Sequence, residues 1–298
     1  MADLTFVRDW FRRYGLAVWF ATIFVMRLPV VASGGLGFDA RLYLAATHAW
    51  LSGSEPWVAL GSQQFAAAPP TLLALAPFTL LPDDAGVGML VIGAGVGVIA
   101  TIRLLRLPWW WIFFPPFLDA VANGNPQALL VPLILVGAGP LAVFLKVYAF
   151  VPMALALRWR ALLLTVALLV VTAPILPWAS YVAEFGRLSI ALTRQSDGGL
   201  SATAIPALIP VALVALVLAG REKAAWLAVP VLWPTTQWYY STLAVPALSS
   251  SVLAAAAMAI PMPGATVLAA VIIAWDARPF TLARLREAWA PMGILGRP

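Results

Sequence analysis

The residues best able to do chemistry gather in one polar stretch, Gly37-Phe38-Asp39-Ala40-Arg41-Leu42-Tyr43, running through His48 to Gly53-Ser54-Glu55-Pro56-Trp57. Asp39 places one carboxylate, an ionisable acid, at the start of this stretch. Asp is also a favoured helix N-cap, so the same residue could simply start a helix. A helix over Asp39–Leu51 would place Asp39, Tyr43 and the backbone of Ala46 on one face. Gly53 and Pro56 would end it. Leu42, Ala45, Ala49 and Trp50 would then rest on a membrane or protein surface. His48, the single histidine, is either a surface residue of that helix or a member of the site.

The second chemical signal is Lys146 within Ala142-Val143-Phe144-Leu145-Lys146-Val147-Tyr148. An ionisable group in an apolar run is costly and tends to be functional or paired. It could bind a lipid phosphate, pair with Asp119 or Glu184, or snorkel to a surface. Arg27, near the end of the first apolar run, could hold a phosphate or snorkel in the same way. Asp83 and Asp84 resemble a metal-binding pair, but negative charge at that point also suits the start of a helix.

These groups are embedded in a chain of 298 residues that is 63% hydrophobic and only 10% charged. Soluble domains carry about 25% charged residues, so the composition predicts an integral membrane protein. A net charge of +6 then reads as basic loops facing anionic headgroups, with no nucleic-acid partner. The absence of cysteine excludes disulfides and thiolate metal sites, and one histidine excludes a multi-histidine centre. Arg8, Arg12 and Arg13 precede the first apolar run and suggest an uncleaved first helix with its N-terminus inside.

The expected architecture is all-α and polytopic, roughly 9–11 membrane segments of up to about 20 residues each, with amphipathic surface helices in the first external loop. Residues 1–298 form a single transmembrane domain, with 34–65 as that loop and 278–298 as a basic tail. Segments on either side of Asn123-Gly124-Asn125-Pro126-Gln127 are too short to span and predict broken helices, tolerated where backbone lines a cavity. Residues 181–194, with Glu184, Arg187 and Arg194, predict a second amphipathic external segment. No internal repeat, Gly-rich phosphate loop or nucleophile elbow is present.

Several motifs in order carry a family resemblance. Asp39-x-x-x-Tyr43-x-x-Ala46, then Leu51-x-Gly53-x-x-Pro56-Trp57, resembles the first external loop of polyprenyl-phosphate-sugar-dependent glycosyltransferases of family 87. That family lies in the C superfamily and includes the mycobacterial mannosyltransferases of phosphatidylinositol mannoside synthesis. Pro69-Pro70 resembles its second-span motif, with Ala68 where the family has Tyr. Gly124-Asn125-Pro126-Gln127 is a loose variant of its Gly-Gln-x-Asn. Lys146 and Pro152 resemble its Lys-x-x-Pro element at longer spacing. Trp238 and Tyr240, followed by Leu243 and Pro246, resemble its Trp-x-His-Tyr element, with Gln237 or Tyr239 left to take over from the missing His.

The resemblance implies transfer of a sugar, a mannose-like hexose or a pentose, from a polyprenyl-phosphate donor to a lipid or glycan acceptor. It implies an inverting reaction on the external face of a prokaryotic plasma membrane, with Asp39 as base and no cofactor, though a divalent metal stays open. Lys146 and Arg27, then Arg187, Arg194 and Arg103, are the candidates for the donor phosphate. Tyr43, His48, Trp57, Asn123, Asn125, Gln127, Gln237, Trp238 and Tyr240 are the candidates for the sugar and acceptor. The alternatives are a transporter or flippase of lipid-linked sugars, to which broken helices and buried charges also belong, and a catalytically inactive relative.

Overall fold

The computed structural model describes residues 4–60, 63–195 and 199–289, and the side chains of residues 14–29, 33, 35–60, 63–195 and 199–277. Helices dominate. In order they are α1 (Leu4–Gly34), α2 (Phe38–Leu51), α3 (Pro70–Leu75), α4 (Asp83–Leu104) and α5 (Pro115–Ala122). There follow α6 (Leu130–Leu135), α7 (Gly139–Leu145), α8 (Phe150–Leu155), α9 (Trp159–Thr172) and α10 (Trp178–Gln195). The last are α11 (Ile209–Ala219), α12 (Arg221–Leu232), α13 (Val245–Leu248), α14 (Val252–Met258) and α15 (Ala265–Trp289). The strands described are a short antiparallel pair, β1 (Ala59–Leu60) and β2 (Gln63–Gln64).

Local chemistry explains most boundaries. Asp83 and Asp84 occupy the first turn of α4, where carboxylates complement the helix dipole. Proline opens α3, α5 and α11, where its missing N–H costs nothing. Asn125 caps the 3-10 turn Pro126–Leu129 by accepting from Gln127 N. The frequent prolines also keep helices short, since each removes a donor inside a continuing helix.

Among the described residues, Asp83–Leu104 alone is long and apolar enough by itself to cross a membrane, with mean hydropathy 2.2. The pair Trp159–Ile175 and Trp178–Gln195 passes the same test only jointly, and it is bent by 98°. The other apolar helices are shorter, among them Tyr14–Pro29, Pro126–Leu135 and Pro206–Ala219. The segment expected over 161–176 is helical from Trp159 to Ile175, with the bend falling after it, while the one expected over 201–219 is interrupted by 3-10 turns before α11. The described part of the expected basic tail continues α15 in helical form to Trp289, while the side chains of Arg278, Arg284 and Arg286 lie outside the described residues.

Two clusters form the interior. The larger joins α1, α5, α6, α12 and α14 to α15 through residues such as Phe20, Phe114, Ile134, Leu227 and Ile273. The smaller gathers Tyr43, Leu44, Trp57, Phe65, Leu72 and, from α10, Leu188, and seats α2 against α3 and α4. Burial of these side chains supplies the main cohesive term. The chemistry lies where the two clusters meet.

Candidate functional site

Helix α2 begins two residues earlier than the capping reading of Asp39 requires. Its N-cap is Gly37, in the left-handed region at φ +75°, and makes no side-chain cap bond. Asp39 therefore sits inside the first turn with its carboxylate free for other partners. The end of α5 receives the start of α2: Gly37 N donates to Ala122 O at 2.7 Å and Ala40 N to Asn123 O at 3.1 Å. Two glycines permit this approach. A Cβ on Gly37 would stand 2.4 Å from Val87 Cγ1, and one on Gly124 would stand 2.8 Å from Ala40 Cβ.

The docked loop turns Asn125 onto the carboxylate. Asn125 Nδ2 donates to Asp39 Oδ2 at 2.6 Å and to the Tyr43 hydroxyl oxygen at 3.3 Å. The same Tyr43 oxygen accepts from Lys146 Nζ. Lys146 is 5% exposed and occupies the extended residue between α7 and the 3-10 turn Val147–Ala149 (φ −150°, ψ 114°). Thr71, on α3, donates to Leu145 O at 3.0 Å and ties down the end of α7 just before the lysine. Asp39, Asn125, Tyr43 and Lys146 thus form one bonded chain. The carboxylates considered as ion-pair partners of Lys146 are engaged elsewhere: Glu184 pairs with Arg187, and Asp119 accepts from Asn123 Nδ2 at 3.4 Å.

This chain forms the polar end of a cavity of about 330 Å³. Asp39, Tyr43 and Lys146 line it, together with an aromatic wall of Tyr148, Trp233, Tyr239 and Tyr240. Tyr148 and Tyr240 have ring centroids 4.7 Å apart, and Tyr148 donates to Gln127 Oε1 behind the wall. Four side-chain amides reach the cavity: Gln63 and Gln64 from β2, Gln195 from the end of α10, and Gln237. Helix α10 lies along it through Tyr181, Phe185, Leu188, Ser189 and Leu192, and is pinned by Trp57 Nε1 donating to Ser180 Oγ at 3.3 Å. Burial raises the Asp39 pKa above its ordinary 3.8, against the lowering effect of the Asn125 bond and the Lys146 charge.

The sequence-derived candidates divide sharply. Asp39, Tyr43, Lys146, Gln237 and Tyr240 line the cavity. Asn125 and Gln127, both fully buried, stand behind it and bond to residues that do. Asn123 bonds to Asp119 rather than reaching the cavity. Trp57 is buried against Phe65, with rings stacked at 6.0 Å. His48 is exposed, its Nε2 3.4 Å from Thr79 O.

The arginines proposed for a phosphate are likewise elsewhere. Arg27 packs over the Trp238 ring at 5.1 Å, and both Arg27 Nε and Trp238 Nε1 are buried without a hydrogen-bond partner. Arg187 and Arg194 lie on the exposed side of α10. Arg103 is exposed in the last turn of α4, about 24 Å along the helix from Val87 at 1.5 Å per residue. None of these four lines the cavity. Among the described residues no group of three or more His, Asp or Glu side chains could hold a metal ion.

Tyr239, an alternative to Gln237 for the place of the missing His, lines the cavity, and Tyr148, Trp233 and the amides Gln63, Gln64 and Gln195 enter it without having been singled out as site residues. Their signal was present: polar-tipped aromatics and amides beside apolar runs need a partner or a cavity when buried. The fold and site define a helical protein with a carboxylate, amide, phenol and ammonium chain at one end of an aromatic cavity. The chain matches no protein-family model, no curated protein and no solved structure.

Proposed function

We propose that the protein is a polytopic membrane glycosyltransferase that moves a sugar from a polyprenyl phosphate to a hydroxyl acceptor. The observation that carries this reading is that Asp39 and Lys146 line one cavity and are joined through Asn125 and Tyr43. A base and a cation are what the reaction needs. The acceptor O–H loses its proton to Asp39 while its oxygen attacks the anomeric carbon. The sugar–phosphate C–O bond breaks, its electron pair stays on the phosphate, and Lys146 faces the charge that develops. Attack opposite the leaving group inverts the anomeric centre.

The surroundings suit a sugar. Flat aromatic faces pack against its C–H surface, and side-chain amides pair with neighbouring hydroxyls as donor and acceptor. Membrane residence is supported by 63% hydrophobic composition and by α9, which exposes Leu163, Leu164, Val166, Val170 and Val171. In this reading the short apolar helices act as pieces of broken spans whose interrupted backbone lines the cavity.

The broken helices α5 and α7 beside the cavity also fit a flippase, which would move the lipid-linked sugar without cleaving it. Purified protein in liposomes, given polyprenyl-phosphate mannose and a lipid acceptor, separates the two. Mannosyl product that disappears in Asp39→Asn supports transfer. Translocation of intact donor with no product overturns it in favour of the flippase.

A further inference from the structure

Asn125 is one of the few polar side chains here with no exposed surface, and every polar atom of its amide has a partner. Its Oδ1 accepts the Gln127 N–H at 3.0 Å, so that side of the amide must be the carbonyl. The opposite side, facing Asp39 and Tyr43, must then be the NH2 group. Backbone geometry thus sets the orientation of the amide, and the amide selects what it faces. An NH2 held 2.6 Å from a carboxyl oxygen prefers the ionised form and occupies that oxygen. Asp39 Oδ2 is thereby engaged, and Oδ1 is the oxygen left for a ligand in the cavity.

We propose that Asn125 is a positioning residue that fixes the Asp39 carboxylate, leaving Oδ1 toward the cavity, and couples it through the Tyr43 oxygen to Lys146. It does not contact the ligand, in contrast to the sugar-binding role expected of it from the sequence. The placement depends on the left-handed Gly124 beside it, which lets the loop close on Ala40. That Asp39 acts as a base rests on the proposed function; that Asn125 orients and ionises it does not.

Other groups around Asp39 are accounted for. Lys146 approaches from the end of α7 and Tyr43 from the next turn of α2. Asp119 on α5, and Tyr239 and Tyr240 on the 3-10 helix Trp238–Ala244, also feel its charge. Lys146 favours the ionised carboxylate and Asp119 opposes it. Among the described residues, Asn125 is the one neutral side-chain donor bonded to it directly.

The test separates the donor from the cap. Asn125→Asp keeps an oxygen for the Gln127 N–H, and so keeps the turn, but replaces the NH2 with a second acceptor. Asn125→Ala removes both. The carboxyl titration of Asp39 is read in the intact detergent-solubilised protein by infrared difference spectroscopy, subtracting Asp39→Asn in each background. Both variants are expected to raise the Asp39 midpoint by about one pH unit or more. A midpoint unchanged in Asn125→Asp, with the protein folded, overturns the proposal. A midpoint raised in both variants, where the wild-type protein transfers no mannose from polyprenyl-phosphate mannose, supports the positioning role and overturns only the glycosyltransferase reading.

Discussion

Asp39 Oδ2 accepts a 2.6 Å hydrogen bond from Asn125 Nδ2, a residue 86 positions away in sequence. The bond closes the junction between the start of α2 and the loop after α5, and it fixes the orientation of the carboxylate. A short polar turn and a helix start, each unremarkable alone, become one bonded unit. Four expected outcomes follow from this arrangement.

Asp39→Asn should abolish sugar transfer, by about 10²–10⁴-fold, because an amide is a negligible base. Thermal stability should be unchanged or slightly higher at neutral pH, since a buried charge has been removed without changing shape. Product formation from polyprenyl-phosphate mannose and a melting curve check both parts. Full activity in the variant would leave Asp39 with a structural role alone.

Lys146→Met should weaken binding of a polyprenyl phosphate and slow transfer, while Lys146→Arg should keep part of both. Methionine preserves the apolar stem, so a loss reports on charge rather than volume. Arginine restores the charge with a wider head group. Equal affinity of wild type and Lys146→Met for polyprenyl phosphate, measured in detergent micelles, would confine Lys146 to its bond with Tyr43.

The acid limb of activity should lie above the ordinary Asp value of 3.8, because burial raises the Asp39 pKa. As pH falls through that raised value the base is protonated and transfer is lost. The stability sign is opposite. A group whose folded pKa is raised favours the folded state at low pH, and that contribution is lost as pH rises through the folded value. Rate–pH profiles and melting curves of wild type and Asp39→Asn should therefore diverge in opposite directions.

Gly124→Ala should destabilise the fold and lower activity together. The residue lies at φ +63° and an added Cβ would meet Ala40 Cβ at 2.8 Å. Left-handed strain and the clash together should cost about 1–3 kcal/mol. Gly93→Ala on α4, where an added Cβ meets nothing within 4 Å, is the control and should change little. Similar melting temperatures for the two variants would show that the junction between α2 and the Asn125 loop tolerates displacement.

By itself the sequence determined the helical class, through its composition and prolines, and several element limits. Helix α2 ends at Leu51 ahead of Gly53, α4 starts at the Asp83-Asp84 pair, and α10 covers the expected segment from 181 to 194. It also singled out Asp39, Tyr43, Lys146, Gln237 and Tyr240, because polar chemistry among apolar residues is costly unless something receives it. Tertiary structure alone decided which of the candidates share a cavity. Charge type could not separate Lys146 from Arg27, Arg187, Arg194 and Arg103; the break after α7 turns the lysine into the cavity, which none of the four arginines lines. Residues 238–244 form a 3-10 helix with three residues per turn, so Tyr239 and Tyr240 face the cavity while Trp238 packs under Arg27. That phase is not encoded in any local pattern. It is set by which neighbours the segment packs against, and the same holds for Asn125, whose role exists only because α5 delivers it to Asp39.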